Sequence, residues 1–565
     1  MIQKSNWLLT RTAGLFALLA ATLWLLVPEF PGPSYHYFRT QDFPATLLIL
    51  PIIALASFWW PQIRLPDRLP NPFEVLTTAA LLVVMLWVGT YLLMLDYPLT
   101  RDEHMAIFDA QSFAAGQLAQ PLAPEWRDYF AAISPDFLRE APGNALLRST
   151  YLPGNSMMRA GLGAIADPAL LNPVLWAIGF VALYDIARRL FSTSPNAVWV
   201  VLAIYLLSAQ VLVNAMTSYA MTAHLSLNLV WLALFLRDKW WQHILVLAIG
   251  AWALGLHQVT YHPLFAGPFV LMLLIQRRWI LFSVYSLVYA AACLFWLSYP
   301  AIVLSSFGLQ ASSGASAGML GYLEAIWIKA AQIDLARSAL MEFNLLRFLV
   351  WTPFFILPLL VLAWPNIRRI DSVTFALFLG IVLMLLMRTL LLPYQGHGWG
   401  YRSLHGLIGN AAILSGFGYL HWAKHNRERA DGTVALFGGV TAFVILPFLL
   451  WATHQFVEPY TRLSAAIERQ ASDFVVVDTT TSRDAVDQVR NRADLTNRPL
   501  VFASSRLGNA QLADLCARGS VTWVGAEDIT IADLPMRAGT FPGVKHLDLQ
   551  AFTECLQPFD RSSLQ

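Results

Sequence analysis

Charge is scarce in this chain. Of its 565 residues only 13% are Asp, Glu, Lys or Arg, while 57% are hydrophobic. A soluble domain carries about 25% charged residues, so an ordinary water-facing globule is excluded. The few charges show no excess of sign, 37 basic against 35 acidic, which removes the basic footprint that a nucleic-acid partner requires. Cysteine is almost missing, three in all. The chain contains no CxxC, no HExxH and no Gly-rich phosphate loop, so zinc-site and nucleotide-loop readings have no motif to stand on.

What is present is long apolar runs, with 21 Trp and 34 Phe. A bilayer core of about 30 Å takes about 20 apolar residues per helix, and only closed hydrogen-bonding elements survive inside it. About thirteen such runs are legible, from Trp7–Val27 to Val434–Thr453. They include Pro44–Trp60, Phe73–Leu95, Ala220–Leu236, His243–Gln258, Tyr261–Ile275 and Leu404–Trp422. The fold class expected is an α-helical polytopic membrane protein of about 13 transmembrane helices.

Lys and Arg in short loops set orientation. With the N-terminus inside, every inside turn is basic, for example Arg64 and Arg68, Arg188 and Arg189, Arg277 and Arg278, and Arg368 and Arg369. The segments 96–168 and 305–344, the turn 393–403 and the C-terminal tail then fall on the outer face. No small-residue cleavage site follows the first run, which reads as an uncleaved anchor.

The tail from about Glu458 changes character. "DFVVVD", "PLVFAS" and "VTWVG" read as strands, separated by the polar helical stretches "SRDAVDQVRNRADL" and "NAQLADLCARG". That alternation predicts a small soluble α/β domain. Cys516 and Cys555 lie here. On an oxidising outer face they pair as a disulfide; the alternative is two buried thiols.

Asp and Glu are almost missing from mid-span positions, whereas transporters carry ionisable residues there. Polar residues gather instead at outer span ends, in three clusters. "TRDEH" begins the first long outer segment. Thr100 and Glu103 form the S/T-x-x-E capping box, and Asp102 and Glu103 suit the helix dipole. The helix that follows places Met105, Phe108 and Ser112 on one side, which predicts that it lies flat on the membrane surface. The second cluster is "STYLPGNSMMRAGLGAIAD", with Tyr151, an outer amphipathic stretch leading into a span. The third is "LLLPYQGHGWGYRSLHGLIG", where Arg388, His397, Arg402 and His405 collect. Snorkelling arginines and interfacial aromatics explain much of it. The glycines between Gly396 and Gly406 point to a close approach of backbone to something.

In this order and on this side, the clusters resemble the GT-C superfamily of integral-membrane glycosyltransferases, the group containing protein O-mannosyltransferases and lipid A aminoarabinose transferases. Asp102 and Glu103 match its acidic pair in the first outer loop. "YLPGNSMM" through "ARRLF" resembles its Y-P-P-G loop and following helix, "SAQVLVNAMTSYAMTAHLSLNLVWLALFL" its Ser/Thr, Tyr and His region, and "GHGWGYRSLHG" its late outer turn. The likeness runs from about Asp96 to Thr453. It implies an additional transmembrane pair in 1–60 and a transmembrane catalytic module in 61–456 with the outer loop 96–168, to which the reading of the tail adds an outer-face soluble α/β domain in 457–565.

The resemblance also implies a reaction. A sugar moves from a polyprenyl-phosphate donor to a hydroxyl on a lipid, glycan or protein acceptor, at the periplasmic face of a bacterial inner membrane. The N-terminus is then cytoplasmic, the C-terminal domain periplasmic, and membrane lipids surround the spans. Asp102 is the candidate base and Glu103 its neighbour in orienting the acceptor or the loop. Arg402, then Arg388 and His397, are candidates for the donor phosphate. Tyr151, His224, His257, Tyr261, His262 and His405 are candidates for substrate contact, although any one of these histidines is more simply a polar contact between helices. No cofactor is expected; a divalent metal, used in parts of the superfamily, finds no closed ligand set here. The competing classes are a transporter or flippase of a lipid-linked saccharide, which needs the arginines but not Asp102, and a non-catalytic assembly protein.

Overall fold

The computed structural model describes residues 2–26, 33–133, 137–310, 327–328, 332, 341–391, 395–534 and 544–564. Most of the expected outer segment 305–344 lies outside the described residues. The chain divides into two units. The first comprises Met1–Gly89, Ala169–Ser298 and Ala317–Ala452, and the second Thr90–Pro168, Tyr299–Ser316 and Thr453–Gln565.

Apolar helices build the first unit. Among the described residues of the whole chain, seven helices are long and apolar enough to cross a membrane, or nine if each of two bent pairs is one span. This is fewer than the thirteen expected. Met221–Phe235, Trp240–Ala253 and Tyr261–Ile275 have only 15, 14 and 15 residues, about 22 Å of helix against a core of about 30 Å. The expected spans Leu404–Trp422 and Val434–Thr453 fall within one helical stretch, Ile408–Glu468, interrupted by Asn426 at φ −158° and ψ 91°. Such a residue leaves the helical basin and breaks the rod. The second span begins earlier than the apolar run suggests, at Pro33, because the polar turn 38–42 continues the helix as a π-helical segment. Two pairs are sharply bent: Pro195–Leu206 with Ala209–Ala215, by 53°, and Met341–Trp351 with Ile356–Leu362, by 100°.

The second unit joins the segment 96–168 to the tail. Its sheet holds β1 (Phe474–Val477), β2 (Leu500–Ala503), β3 (Val521–Val524) and β4 (Leu556–Pro558). All pairs are parallel, in spatial order β2-β1-β3-β4. Strands buried on both faces read as continuous apolar runs, as FVVV and LVFA do. The fourth strand carries Gln557 and Pro558 and has no such signal. Phe474 and Val476 share one face by the two-residue period. They share a core with Met105 and Phe108 of the helix Arg101–Ala114 and with Tyr129 and Phe130. This corrects the expectation of a surface-lying helix: Met105, Phe108 and Ser112 are buried in protein, and the sheet takes the place that lipid was expected to fill. Cys516 and Cys555 are joined as a disulfide, with Cα atoms 5.8 Å apart.

Candidate functional site

In the second unit the cluster "TRDEH" opens the helix Arg101–Ala114. Thr100 is its N-cap, its hydroxyl accepting from the Glu103 N–H at 3.4 Å. The four following side chains then diverge, because successive helical residues point about 100° apart. Arg101 is buried. It donates through Nη1 to the Val489 carbonyl at 2.6 Å and stands 3.7 Å from the Asp487 carboxylate. Glu103 is buried as well and faces the buried Arg159 electrostatically. Burial brings the Arg159 guanidinium down to about 10, against which Glu103 works. His104 is held neutral, its pKa well below the usual imidazole value, by desolvation and by Arg490 and Arg101 nearby.

Of the two acids in this cluster only Asp102 is half-exposed. It accepts a hydrogen bond from the Tyr151 hydroxyl, so the first and second sequence clusters meet at these two residues. The next acid on this helix, Asp109, is different. It accepts from the Ser149 N–H at 3.3 Å, yet burial pushes its pKa up to about 7.

In the first unit the Gly-rich turn organises the second group. Gly396, Gly398 and Gly400 have φ of +70°, +148° and +66°, a backbone region that side chains rarely adopt. A Cβ on Gly398 would stand 2.1 Å from Arg402 Cδ, and one on Gly400 2.1 Å from Gln210 Oε1. The close approach implied by these glycines is therefore to this protein's own Arg402 and Gln210. Gln210 Oε1 accepts from the Tyr401 N–H at 2.9 Å, while the Arg402 guanidinium donates to the His397 carbonyl at 2.6 Å and lies 4.5 Å from the Tyr219 ring centre.

Arg402 lines a small cleft with Ala220, Met221, His224, His257, Tyr261 and Gly406. Three of the candidate substrate residues thus meet there with the first candidate for phosphate. His224 is buried, and neither ring nitrogen has a hydrogen-bond partner among the described residues. A buried imidazole is normally satisfied, so its edges are open to a group entering the cleft. Arg388 belongs to the same neighbourhood through Gln258, 3.3 Å away, and the Tyr261 ring, 4.7 Å away.

The other histidines have structural partners. His262 bonds Asn228 Oδ1 at 2.9 Å and stands 3.3 Å from the Tyr289 hydroxyl; His405 is fully buried beside Asn214. His397 contacts the Tyr37 hydroxyl at 3.0 Å by its ring and Arg402 by its carbonyl. Gln210, Tyr219 and Gln258 carry no charge, so only the fold reveals that Tyr219 and Gln258 hold the arginines and that Gln210 holds Tyr401 beside Arg402. Among the described residues, no group of three or more His, Cys, Asp or Glu is placed to hold a metal ion.

Two solved structures share the architecture. ArnT from Cupriavidus metallidurans bound to undecaprenyl phosphate superposes with a TM-score of 0.50 at 12% identity, over 86% of this chain and 91% of that one. The apo state of the same protein gives 0.47 at 12% identity, over 85% and 90%. No protein-family model matches the chain. No curated protein matches it either. At this identity the likeness is one of fold: the chain shares the fold of ArnT, with apolar spans and a small C-terminal sheet.

Proposed function

We propose that this protein is a membrane glycosyltransferase of the hexosyl- or pentosyltransferase class, working at the periplasmic face of a bacterial inner membrane on a polyprenyl-phosphate sugar. The observation that carries this reading is Arg402 in a cleft beside the unpartnered, buried His224, on a fold shared with a protein bound to undecaprenyl phosphate.

The acceptor hydroxyl oxygen attacks the anomeric carbon, and the bond from that carbon to the phosphate oxygen breaks. The bonding pair leaves with the polyprenyl phosphate, while the acceptor proton passes to Asp102. The phosphate is already a good leaving group, so a carboxylate suffices as base. Tyr151 orients Asp102, and Glu103, buried against Arg159, holds the loop. Arg402 grips the phosphate with two donors, and Arg388 and His397 support it. In a poorly hydrated cleft such fixed cations stabilise the leaving charge more than they do in water. The acceptor is a lipid, glycan or protein hydroxyl.

Purified protein supplied with labelled polyprenyl-phosphate sugars and candidate acceptors should release polyprenyl phosphate and form a glycosylated product. Intact donor across a panel of sugars and acceptors would remove the reading in favour of a lipid-linked saccharide transporter or an assembly protein.

A further inference from the structure

The region expected to be a simple N-terminal addition carries a buried charge. Asp42 ends the π-helical segment Phe38–Asp42 within the apolar helical stretch Pro33–Phe58, and both it and Gln41 are 1% exposed. A π-bulge shifts the helical register, and here two consecutive polar residues serve one partner. That partner is Arg347, on the helix Met341–Trp351 just before its 100° break.

Arg347 is used on several sides. Nη1 stands 3.7 Å from the Asp42 carboxylate, which also accepts from Trp351 Nε1 at 3.0 Å. Nη2 donates to Gln41 Oε1 at 3.1 Å and to the Gly398 carbonyl at 3.0 Å. The guanidinium lies 3.9 Å from the Tyr37 ring centre, and the Tyr37 hydroxyl meets the His397 ring at 3.0 Å. The pair thus holds two consecutive residues of the glycine turn, His397 and Gly398. These are the residues that fix Arg402: it donates to the His397 carbonyl, and its stem occupies the space where a Gly398 side chain would stand.

An ion pair in an apolar span is expensive and rarely kept for stability alone. We propose that Asp42 and Arg347 are positioning residues for the donor-phosphate grip, acting through the Gly398 turn on Arg402. This inference rests on the reading of Arg402 as the phosphate ligand. It gives the N-terminal helix pair a role in that site: its polar bulge sets the aim of an arginine about 360 residues away in sequence. A guanidinium suits this place, because Nη1 faces the carboxylate while Nη2 donates to both the amide oxygen and the carbonyl.

The test is equilibrium binding of undecaprenyl phosphate to the purified, detergent-solubilised full chain. Arg347→Ala should weaken binding about 10- to 100-fold, as misplacement of a supported ligand does. Asp42→Asn, which keeps an acceptor for Trp351, should weaken it less, and Arg347→Lys should fail to restore it. The double variant Arg347→Ala with Arg402→Ala should bind no more weakly than Arg402→Ala alone, because Arg347 acts only through Arg402. A merely structural role would add a separate loss, so additive effects overturn the inference. If Arg347→Ala does not fold, Asp42→Asn and Arg347→Lys carry the same test. Binding that depends on Arg402 but is unchanged in the Asp42 and Arg347 variants overturns this inference alone. A wild type that does not bind, or Arg402→Ala that binds as wild type, overturns the donor reading and the inference with it.

Discussion

Arg101 donates a 2.6 Å hydrogen bond to the backbone carbonyl of Val489, 388 residues later in the chain. The bond is one of a set. Arg490 donates to the Pro98 and Leu99 carbonyls and stacks 3.9 Å from the Tyr97 ring centre, while Asn491 bonds the Ile133 carbonyl at 2.9 Å. The segment 96–168 and the tail are therefore one folded unit, and Arg101, the neighbour of the acidic pair, is held by residues of the C-terminal region.

Arg101→Leu should destabilise this unit by about 3 kcal/mol, since it strands Asp487 and a buried carbonyl without their partner. Thermal unfolding of the purified protein, followed by proteolysis near 97–114, checks this. A change under about 0.5 kcal/mol, the usual value for an exposed arginine, would contradict it.

The disulfide closes a separation of 39 residues. The chain-entropy estimate for such a loop is about 4 kcal/mol. Cys516→Ser or mild reduction should lower the unfolding temperature of the unit by several degrees while leaving Cys293 without effect.

Asp109 supplies a pH dependence. Burial raises its folded pKa to about 7, above the ordinary carboxylate value, so between these values the native state binds the extra proton. Stability must fall as pH rises through this window. Asp109→Asn removes that proton linkage. The melting temperature of the variant minus that of the wild type should grow from pH 4 to pH 7, and a difference that is flat or shrinks would contradict the burial of this acid.

Gly400→Ala forces a side chain into φ +66° and against Gln210. A cost of about 1–3 kcal/mol is expected, together with weaker binding of undecaprenyl phosphate, because Tyr401 loses its hold on Gln210 and Arg402 follows it. Gly439, with open space around its Cβ position, is the control and should tolerate Ala.

Much of the fold was legible because its signals are local. Apolar runs mark spans, and the strands Phe474–Val477 and Leu500–Ala503 announce themselves by unbroken apolar runs. The third cluster was legible as a tight turn because three glycines at positive φ leave a mark in composition. Other features needed the fold. The amphipathic face of Met105 and Phe108 looks the same whether lipid or a sheet covers it, and its partner Phe502 is about 400 residues away. The helices of 14 and 15 residues read as spans because an apolar run marks burial away from water and not the length needed to cross a bilayer. Asp42 was invisible for a different reason: one acid at the edge of an apolar run reads as an interfacial residue until Arg347 is seen against it.

The central claim is that Asp102, the half-exposed acid of the opening cluster, takes the acceptor proton. The most direct measurement is the rate of sugar transfer from a polyprenyl-phosphate donor by Asp102→Asn, alongside its affinity for undecaprenyl phosphate. Transfer should fall by about 10²- to 10⁴-fold, the usual contribution of a general base, with lipid-phosphate affinity within about threefold of wild type. Transfer within tenfold of wild type, at equal donor affinity, would contradict it.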